Sequence, residues 1–201
     1  MNGMLDFDAF LEKYDIAGGV VLLAGSRKVA LEDQEKLRNL GRLLARRSKQ
    51  LIFRSGNANG SDTLFIEGVG EVAPSRVEII IPYPTHQPKN RVGYDSFSLD
   101  QVDVLNEPTL LEQAKMHAGA RYGIEQYLGG QTNGDKVATA KLILRSTLMV
   151  TGAENVKPAN FAFFYVDKTA TKPGGTGHTM NVCKQMHVEY LDQDTWFSWL
   201  D

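Results

Sequence analysis

The stretch that decides the fold of this chain is GGVVLLAGSR, residues 18–27. Its central apolar run, Val20 to Ala24, is bounded by glycines, which is typical of a strand buried on both faces of a parallel sheet. Residues 31–47 then place leucines on one face and Arg or Lys on the other, which predicts an amphipathic helix. A strand followed by such a helix indicates a right-handed βαβ crossover.

Strands and helices continue to alternate along the rest of the chain. The further predicted strands span 50–55, 77–81, 161–166 and 188–191, and the further helices lie near 62–69, 108–128 and 135–150. This order predicts an α/β fold with a Rossmann-like, doubly wound, mainly parallel five-stranded sheet flanked by helices. In such sheets a ligand binds outside the carboxyl ends of the strands, where the strand order reverses.

One domain accounts for the length of the chain. We expect a single nucleotide-binding domain over residues 1–201. The polar stretch after the third strand predicts an insertion or lid at about 83–135, because a structureless loop of that length is uncommon in a compact domain.

Composition narrows the class of protein. The formal charge of −2 gives no electrostatic argument for nucleic acid, which we therefore expect to be an unlikely partner. The single cysteine, Cys183, excludes an internal disulfide and fits a reducing compartment. The N-terminus lacks the pattern of a secretion signal, and no apolar run reaches the length of a membrane span. We therefore expect a cytoplasmic protein without membrane contact. We also expect no bound metal, since no Cys/His spacing of zinc type occurs.

Glycine-rich turns follow three of the predicted strands. The first is Gly25-Ser26-Arg27, in which glycine allows a sharp reversal and the Ser and Arg side chains can donate to an anion. A plain turn is an equally good interpretation of these residues.

The second turn spans residues 55–62 and contains Gly56, Asn57 and Asp62. Its small residues allow a ligand to approach the backbone closely, and the amides of the following helix can point at it. Asp62 falls in the first turn of that helix, where a carboxylate also stabilises the helix simply by facing its positive end. Both roles of Asp62 remain open at this point.

The third turn is the strongest candidate for a phosphate site. It reads Pro173-Gly174-Gly175-Thr176-Gly177-His178-Thr179. Glycines between a strand and a helix leave backbone amides uncovered, which forms an anion-binding nest, and the threonine hydroxyls add donors. A flexible loop is the alternative. The turn is neither a Walker A loop, because a histidine replaces the phosphate-binding lysine, nor a dinucleotide fingerprint.

Arg145 completes the set of candidate binding residues. It lies on the helix predicted at 135–150, from which an arginine can clamp a phosphate or a ribose. The alternative is a solvated helix face, where most helical arginines lie.

Taken in order, these segments resemble the motifs of one superfamily. It joins the Lonely-Guy-type phosphoribohydrolases, formerly described as lysine decarboxylase-like, with DNA processing protein A and the SLOG nucleotide-sensor domains. Residues 55–62 resemble its GG-A-x-G-x-D turn, with Asn57 in place of a glycine, and residues 145–149 resemble its R-N/K-x-x-M helix. Residues 173–177 match its P-G-G-x-G loop, whereas 83–135 lies outside the resemblance.

The resemblance implies a nucleotide-derived ligand. In the phosphoribohydrolases the last loop continues to a catalytic glutamate, and the corresponding position here is Asn181, which has no carboxylate for acid or base chemistry. We therefore expect binding or sensing of a nucleotide or nucleotide-derived phosphate ligand, with no cofactor firmly implied. The alternative is a nucleotide-processing hydrolase in which Asp62, Glu67 or His178 supplies the acid or base. Because relatives often dimerise, the resemblance also implies a homo-oligomer.

Overall fold

Six parallel strands form one sheet in the computed structural model, which describes residues 5–117, 119–171 and 174–200. The strands are β1 Val20–Gly25, β2 Ile52–Ser55, β3 Val77–Ile81, β4 Asp95–Ser98, β5 Phe161–Tyr165 and β6 Glu189–Asp192. Their order across the sheet is β4-β3-β2-β1-β5-β6, and each neighbouring pair is parallel. The chain builds one half outward from β1 and then returns to add β5 and β6, which confirms the predicted doubly wound α/β fold.

Helices cover both faces of this sheet. They are α1 Phe7–Tyr14, α2 Leu31–Arg47, α3 Ser61–Gly70, α4 Pro108–Lys115, α5 Arg121–Leu128, α6 Asp135–Thr151, α7 Gly174–Gln185 and α8 Gln193–Trp196. Helices α1, α2, α3 and α8 pack on one face, and α4 to α7 pack on the other. None of the helices described is long and apolar enough to cross a membrane.

The alternation of side chains along the central strands divides the core between these two faces. In β1, Val21 and Leu23 pack with the first group of helices, while Leu22 and Ala24 pack with the second. All residues of β5 are buried, as expected of a strand covered on both faces. Each face therefore has its own apolar layer.

Strand β4 corrects the expected strand count from five to six. It lies at the edge of the sheet, where Asp95 and Ser96 are exposed and only Ser98 is buried. An edge strand can form through backbone hydrogen bonds to one neighbouring strand, without an apolar run in its sequence. The hydrophobic pattern therefore did not predict β4. The helix expected over 108–128 is likewise two helices, separated by a turn that contains Gly119, a poor helix former. Ala118 lies outside the described residues.

The segment 83–135 joins the fold at two places. It supplies β4 to the sheet, and α4 and α5 pack against α6 through buried residues such as Leu110 and Ile124. Its assignment as an insertion or lid stays a prediction.

A buried arginine fixes α6 against the sheet. Arg54 of β2 is 0% exposed and pairs with its register neighbour Glu78 of β3 at 3.0 Å. Its Nη1 donates to the carbonyl oxygens of Met149 and Lys157 at 3.0 and 2.6 Å. Because Met149 lies near the end of α6, this side chain sets where that helix meets the strands.

We expect Arg54→Leu to lower the free energy of unfolding by about 3 kcal/mol, because the change leaves the Glu78 carboxylate and the carbonyls of Met149 and Lys157 without this donor. Urea denaturation measures this quantity. The matched control is Arg47→Leu, whose exposed ion pair with Asp8 is worth at most about 1 kcal/mol. Equal losses in the two variants would contradict the assigned role of Arg54.

Candidate functional site

A cavity of about 800 Å³ opens at the carboxyl ends of β1 and β5. Residues directly after these two strands form its floor, and α6 and α7 form its walls. The strand order reverses between β1 and β5, so the cavity lies at the switch point where doubly wound sheets bind ligands.

Most residues singled out from the sequence line this cavity. They are Gly25, Ser26, Arg27, Asp62, Arg145, Gly174, Gly175, Thr176, Gly177 and Thr179. The fold brings them together from the ends of three strands and from α6. Three others, Gly56, Asn57 and His178, do not line it. Pro173, which opens the third turn, lies outside the described residues.

Asp62 ties two of the turns together with its buried carboxylate. Oδ1 accepts from the backbone N–H of Gly25 at 3.2 Å, and Oδ2 accepts from those of Gly56 and Ala58 at 3.2 and 3.3 Å. Burial raises the pKa of the Asp62 carboxyl. The charge of Arg145 and the hydrogen bonds from these amides favour the ionised form, but their effect is smaller than that of burial. Because the bonds run to turns outside α3, the carboxylate does more than stabilise its own helix.

Arg145 projects from α6 beside this carboxylate and is also buried. Its Nη1 lies 3.9 Å from Asp62 Oδ2, and a Cβ at Gly56 would stand only 1.5 Å from that nitrogen. Nε has no hydrogen-bond partner among the described residues. Burial lowers the pKa of Arg145 despite the nearby carboxylate. Arg145 is therefore no solvated surface residue but a desolvated cation in the wall of an open cavity.

Residues 174–177 of the third glycine-rich turn form the first turn of α7. Gly174 has a φ of +50°, a left-handed conformation that favours glycine. The opening N–H groups of a helix have no acceptor within it, and the residues of this turn line the cavity. Thr179 Oγ1 donates to the carbonyl of Gly175 at 3.0 Å and stabilises the turn.

Ser26 and Arg27 follow β1 and are held by main-chain contacts. The N–H of Ser26 donates to the Tyr165 carbonyl at 2.8 Å, and the Ser26 carbonyl accepts from Ser61 Oγ at 2.6 Å. The exposed Arg27 also lines a second cavity of about 340 Å³. The other residues around that second cavity are Lys28, Val29, Gln34, Asn59, Gly60, Thr63 and Leu64.

Asn57 lies outside the cavity lining and stabilises the turn after β2. It adopts a φ of +57°, and its Nδ2 donates to the Gln87 carbonyl at 3.1 Å. The bond joins the turn after β2 to the loop after β3. The amide of Asn57 is therefore used within the fold.

His178 is buried against α6 rather than placed in the cavity lining. Its Nε2 lies 2.9 Å from Thr147 Oγ1, and that hydroxyl donates to the Ile143 carbonyl at 2.9 Å. A hydroxyl has one proton, so when Thr147 donates to Ile143 the donor in its contact with His178 is Nε2. The ring stands at 85° to His117, with centroids 5.2 Å apart. Burial, with a contribution from His117, lowers the pKa of His178 to about 4.

The residues considered for acid or base chemistry are dispersed. Of these, Asp62 lines the cavity. Glu67 is exposed and pairs with Arg38 at 2.8 Å, and Asn181 is exposed outside the lining. Among the described residues, no three His, Cys, Asp or Glu side chains come together as a metal site.

Several lining residues were missed in the sequence. Some share the cavity-facing side of α6 with Arg145, at spacings that helical periodicity would have found: Thr139, Leu142, Ser146 and Met149. His117 comes from the 83–135 segment, where no motif pointed to it, and Asp167 is a single acid after β5. Nothing in their local sequence separates these two from surface residues.

Comparison with known proteins adds one structural similarity. No family model matches the sequence, and no curated protein matches it. A solved structure of DNA processing protein A from Helicobacter pylori, which binds single-stranded DNA, superimposes with a TM-score of 0.51. The sequence identity is 14%, and the match covers 94% of this chain and 69% of that one. The chain has a Rossmann-like fold. At this identity, the similarity shows the fold alone.

This neighbour contradicts the expectation that nucleic acid is an unlikely partner, because a protein of the same fold binds single-stranded DNA. The expectation rested on a net charge of −2, which averages over the whole surface. Recognition of an anion depends on the local field, and Arg27 and Arg145 meet at one cavity while Lys28 lines the next.

The buried His178 predicts a pH dependence of stability. An unfolded histidine titrates near 6.5 and the folded one at about 4, so the unfolded state binds more protons between these values. As the pH falls from about 6.5 to 4, this histidine therefore lowers the free energy of unfolding by about 3 kcal/mol in all. Outside that window it has no further effect. We expect His178→Gln to reduce the acid loss of unfolding free energy, measured by urea denaturation at pH 7, 5.5 and 4.

The control is His187→Asn, which removes an exposed histidine at a φ of +54° that asparagine tolerates. It should follow the pH curve of the parent protein. A curve of His178→Gln parallel to that of the parent would show that this ring does not titrate on unfolding.

Proposed function

We propose that this protein binds a nucleotide or nucleotide-derived ligand through its phosphate, in the cavity at the switch point, as a SLOG-like binding or sensing domain. The observation that carries the proposal is the convergence of Arg145 and the first turn of α7 on one space. Arg145 is a buried cation with an unpartnered Nε in the described structure, and Gly174 and Gly175 lie at the start of a helix. A phosphate can accept from both, which offsets the cost of burying the guanidinium.

The remainder of the cavity suits a sugar and a base. A phosphate fills only part of about 800 Å³, and the side chains lining α6 and α7 beyond Arg145 include Leu142, Ile143 and Met180. Thr139 lies roughly 9 Å from Arg145 along the axis of α6. Thioether and aliphatic groups pack well against flat aromatic rings. A nucleotide extended along α6 would use both ends of the cavity.

Binding is a better proposal than hydrolysis for these residues. The Asp62 carboxylate already accepts three backbone hydrogen bonds, His178 is buried against Thr147, and Asn181 lies outside the lining. A general acid or base must reach the reacting atoms with a proton to exchange. Release of a free base from a bound nucleotide would favour the phosphoribohydrolase-like alternative instead.

Gly175 offers a sharp test of the phosphate site. Among the described residues nothing lies within 4 Å of the place where its Cβ would stand, so a side chain there meets no described neighbour. We expect Gly175→Asp to weaken nucleotide binding at least about tenfold, because a carboxylate next to the phosphate repels it and competes for the helix-start amides. Gly175→Ala is the matched control and should bind within about threefold of the parent.

The measurement is a thermal-shift screen with nucleoside mono-, di- and triphosphates, NAD, ADP-ribose and cyclic nucleotides, followed by calorimetry on the best ligand. The mixtures are then analysed for released base. Equal affinity of the Asp and Ala variants would place the phosphate elsewhere and contradict the proposal.

Single-stranded DNA is a second candidate ligand. The fold similarity to DNA processing protein A favours it, and so does the second cavity, which adjoins the first through Arg27 and adds Lys28. A strand with several phosphates could run from one cavity to the next across this arginine. Such binding would be strongly dependent on salt.

If DNA binds in this way, Arg27→Ala and Lys28→Ala should each weaken binding of a fluorescent oligodeoxythymidine and reduce the slope of log K against log salt by about 0.7. Fluorescence anisotropy over a salt series measures both quantities. Arg46→Ala, on the exposed end of α2, serves as the control and should change neither. Absence of binding at low salt, or the same effect from the Arg46 change, would exclude this candidate.

A further inference from the structure

Asp167 is a carboxylate in the cavity wall that phosphate binding does not use. It lies two residues beyond Tyr165, which pairs in register with Gly25 at the switch point. Its Oδ1 accepts from both the backbone N–H and the Oγ1 of Thr169, at 2.9 and 2.6 Å. The hydrogen bonds of the described residues leave Oδ2 without a donor. The turn thus fixes the carboxylate through one oxygen, while the other has no donor in the described part of the chain.

The charge of this group restricts what can lie beside it. The hydroxyl and amide of Thr169 lower the pKa of Asp167, so it is ionised at neutral pH and can only accept hydrogen bonds. An ionised carboxylate repels a second phosphate and has nothing to gain from an apolar group. The part of the ligand next to Asp167 must therefore be a hydrogen-bond donor, uncharged or cationic.

A ribonucleotide brings such a donor to the required place. Its sugar lies between the phosphate and the base, and its 2′- and 3′-hydroxyls are donors; the 2′-hydroxyl is the group that distinguishes RNA from DNA. We propose that Asp167 accepts a hydrogen bond from the 2′-hydroxyl of a ribose, so that the cavity selects ribonucleotides over 2′-deoxyribonucleotides. This inference rests on the proposed function, which leaves the sugar of the nucleotide open.

The test compares ribo- and deoxyribonucleoside monophosphates on the full chain by calorimetry, with inorganic phosphate as the reference anion. For the base that binds best, we expect the parent protein to favour the ribonucleotide by about tenfold or more, as a hydrogen bond to a charged group allows. Asp167→Asn should weaken ribonucleotide binding and bring the preference below about threefold. The same change removes a negative charge, so inorganic phosphate and the deoxyribonucleotide should bind as well as before or better.

This opposite response distinguishes loss of ribose recognition from a general loss of structure, which would weaken the binding of all the ligands. Asp194→Asn, an exposed acid that pairs with Lys168 outside the cavity lining, is the control and should keep the parent's preference. Equal binding of ribo- and deoxyribonucleotides to the parent, or a preference unchanged in Asp167→Asn, overturns the inference. If the parent binds both forms equally and Gly175→Asp binds neither, the proposed function holds and the inference about Asp167 fails. If no nucleotide binds the parent, both fail.

Discussion

The buried carboxylate of Asp62 accepts three backbone hydrogen bonds at the point where the ends of β1 and β2 meet α6. Its charge lies 3.9 Å from the guanidinium of Arg145, which is equally buried. Either group alone would cost several kcal/mol to desolvate, so each depends on the other and on the amides around them. Elements far apart in the chain are thereby held at one place. The cavity has its shape because this cluster must stay together.

Two further polar contacts fix the walls of the cavity. Arg54 joins the sheet to the carbonyl of Met149, one turn beyond Arg145 on α6, and His178 joins α7 to α6 through Thr147. Both side chains are buried, so the loss of either hydrogen bond is costly. The groups that would meet a phosphate are thus in position before any ligand arrives. Such preorganisation reduces the entropy that binding must overcome.

The charges of the site follow a pattern that the net charge conceals. Arg27 and Arg145 line the main cavity, and two carboxylates share it with them. Asp62 is engaged by the scaffold, whereas the Oδ2 of Asp167 is without a donor in the described part of the chain. Positive and negative groups therefore lie together in one space, although the chain as a whole carries only −2.

The apolar runs of β1 and β5 and the glycines after them are local features, so five of the strands, the doubly wound fold and ten of the lining residues could be predicted from the sequence alone. Strand β4 could not, since an edge strand without an apolar run is defined only by its partner. The sequence by itself also left Arg145 undecided between cavity and solvent. Only the tertiary structure decided that it is buried beside Asp62, that His178 faces Thr147, and that His117 and Asp167 enter the cavity. Burial and pairing of this kind depend on which distant segments of the chain come into contact, and local periodicity does not predict those contacts.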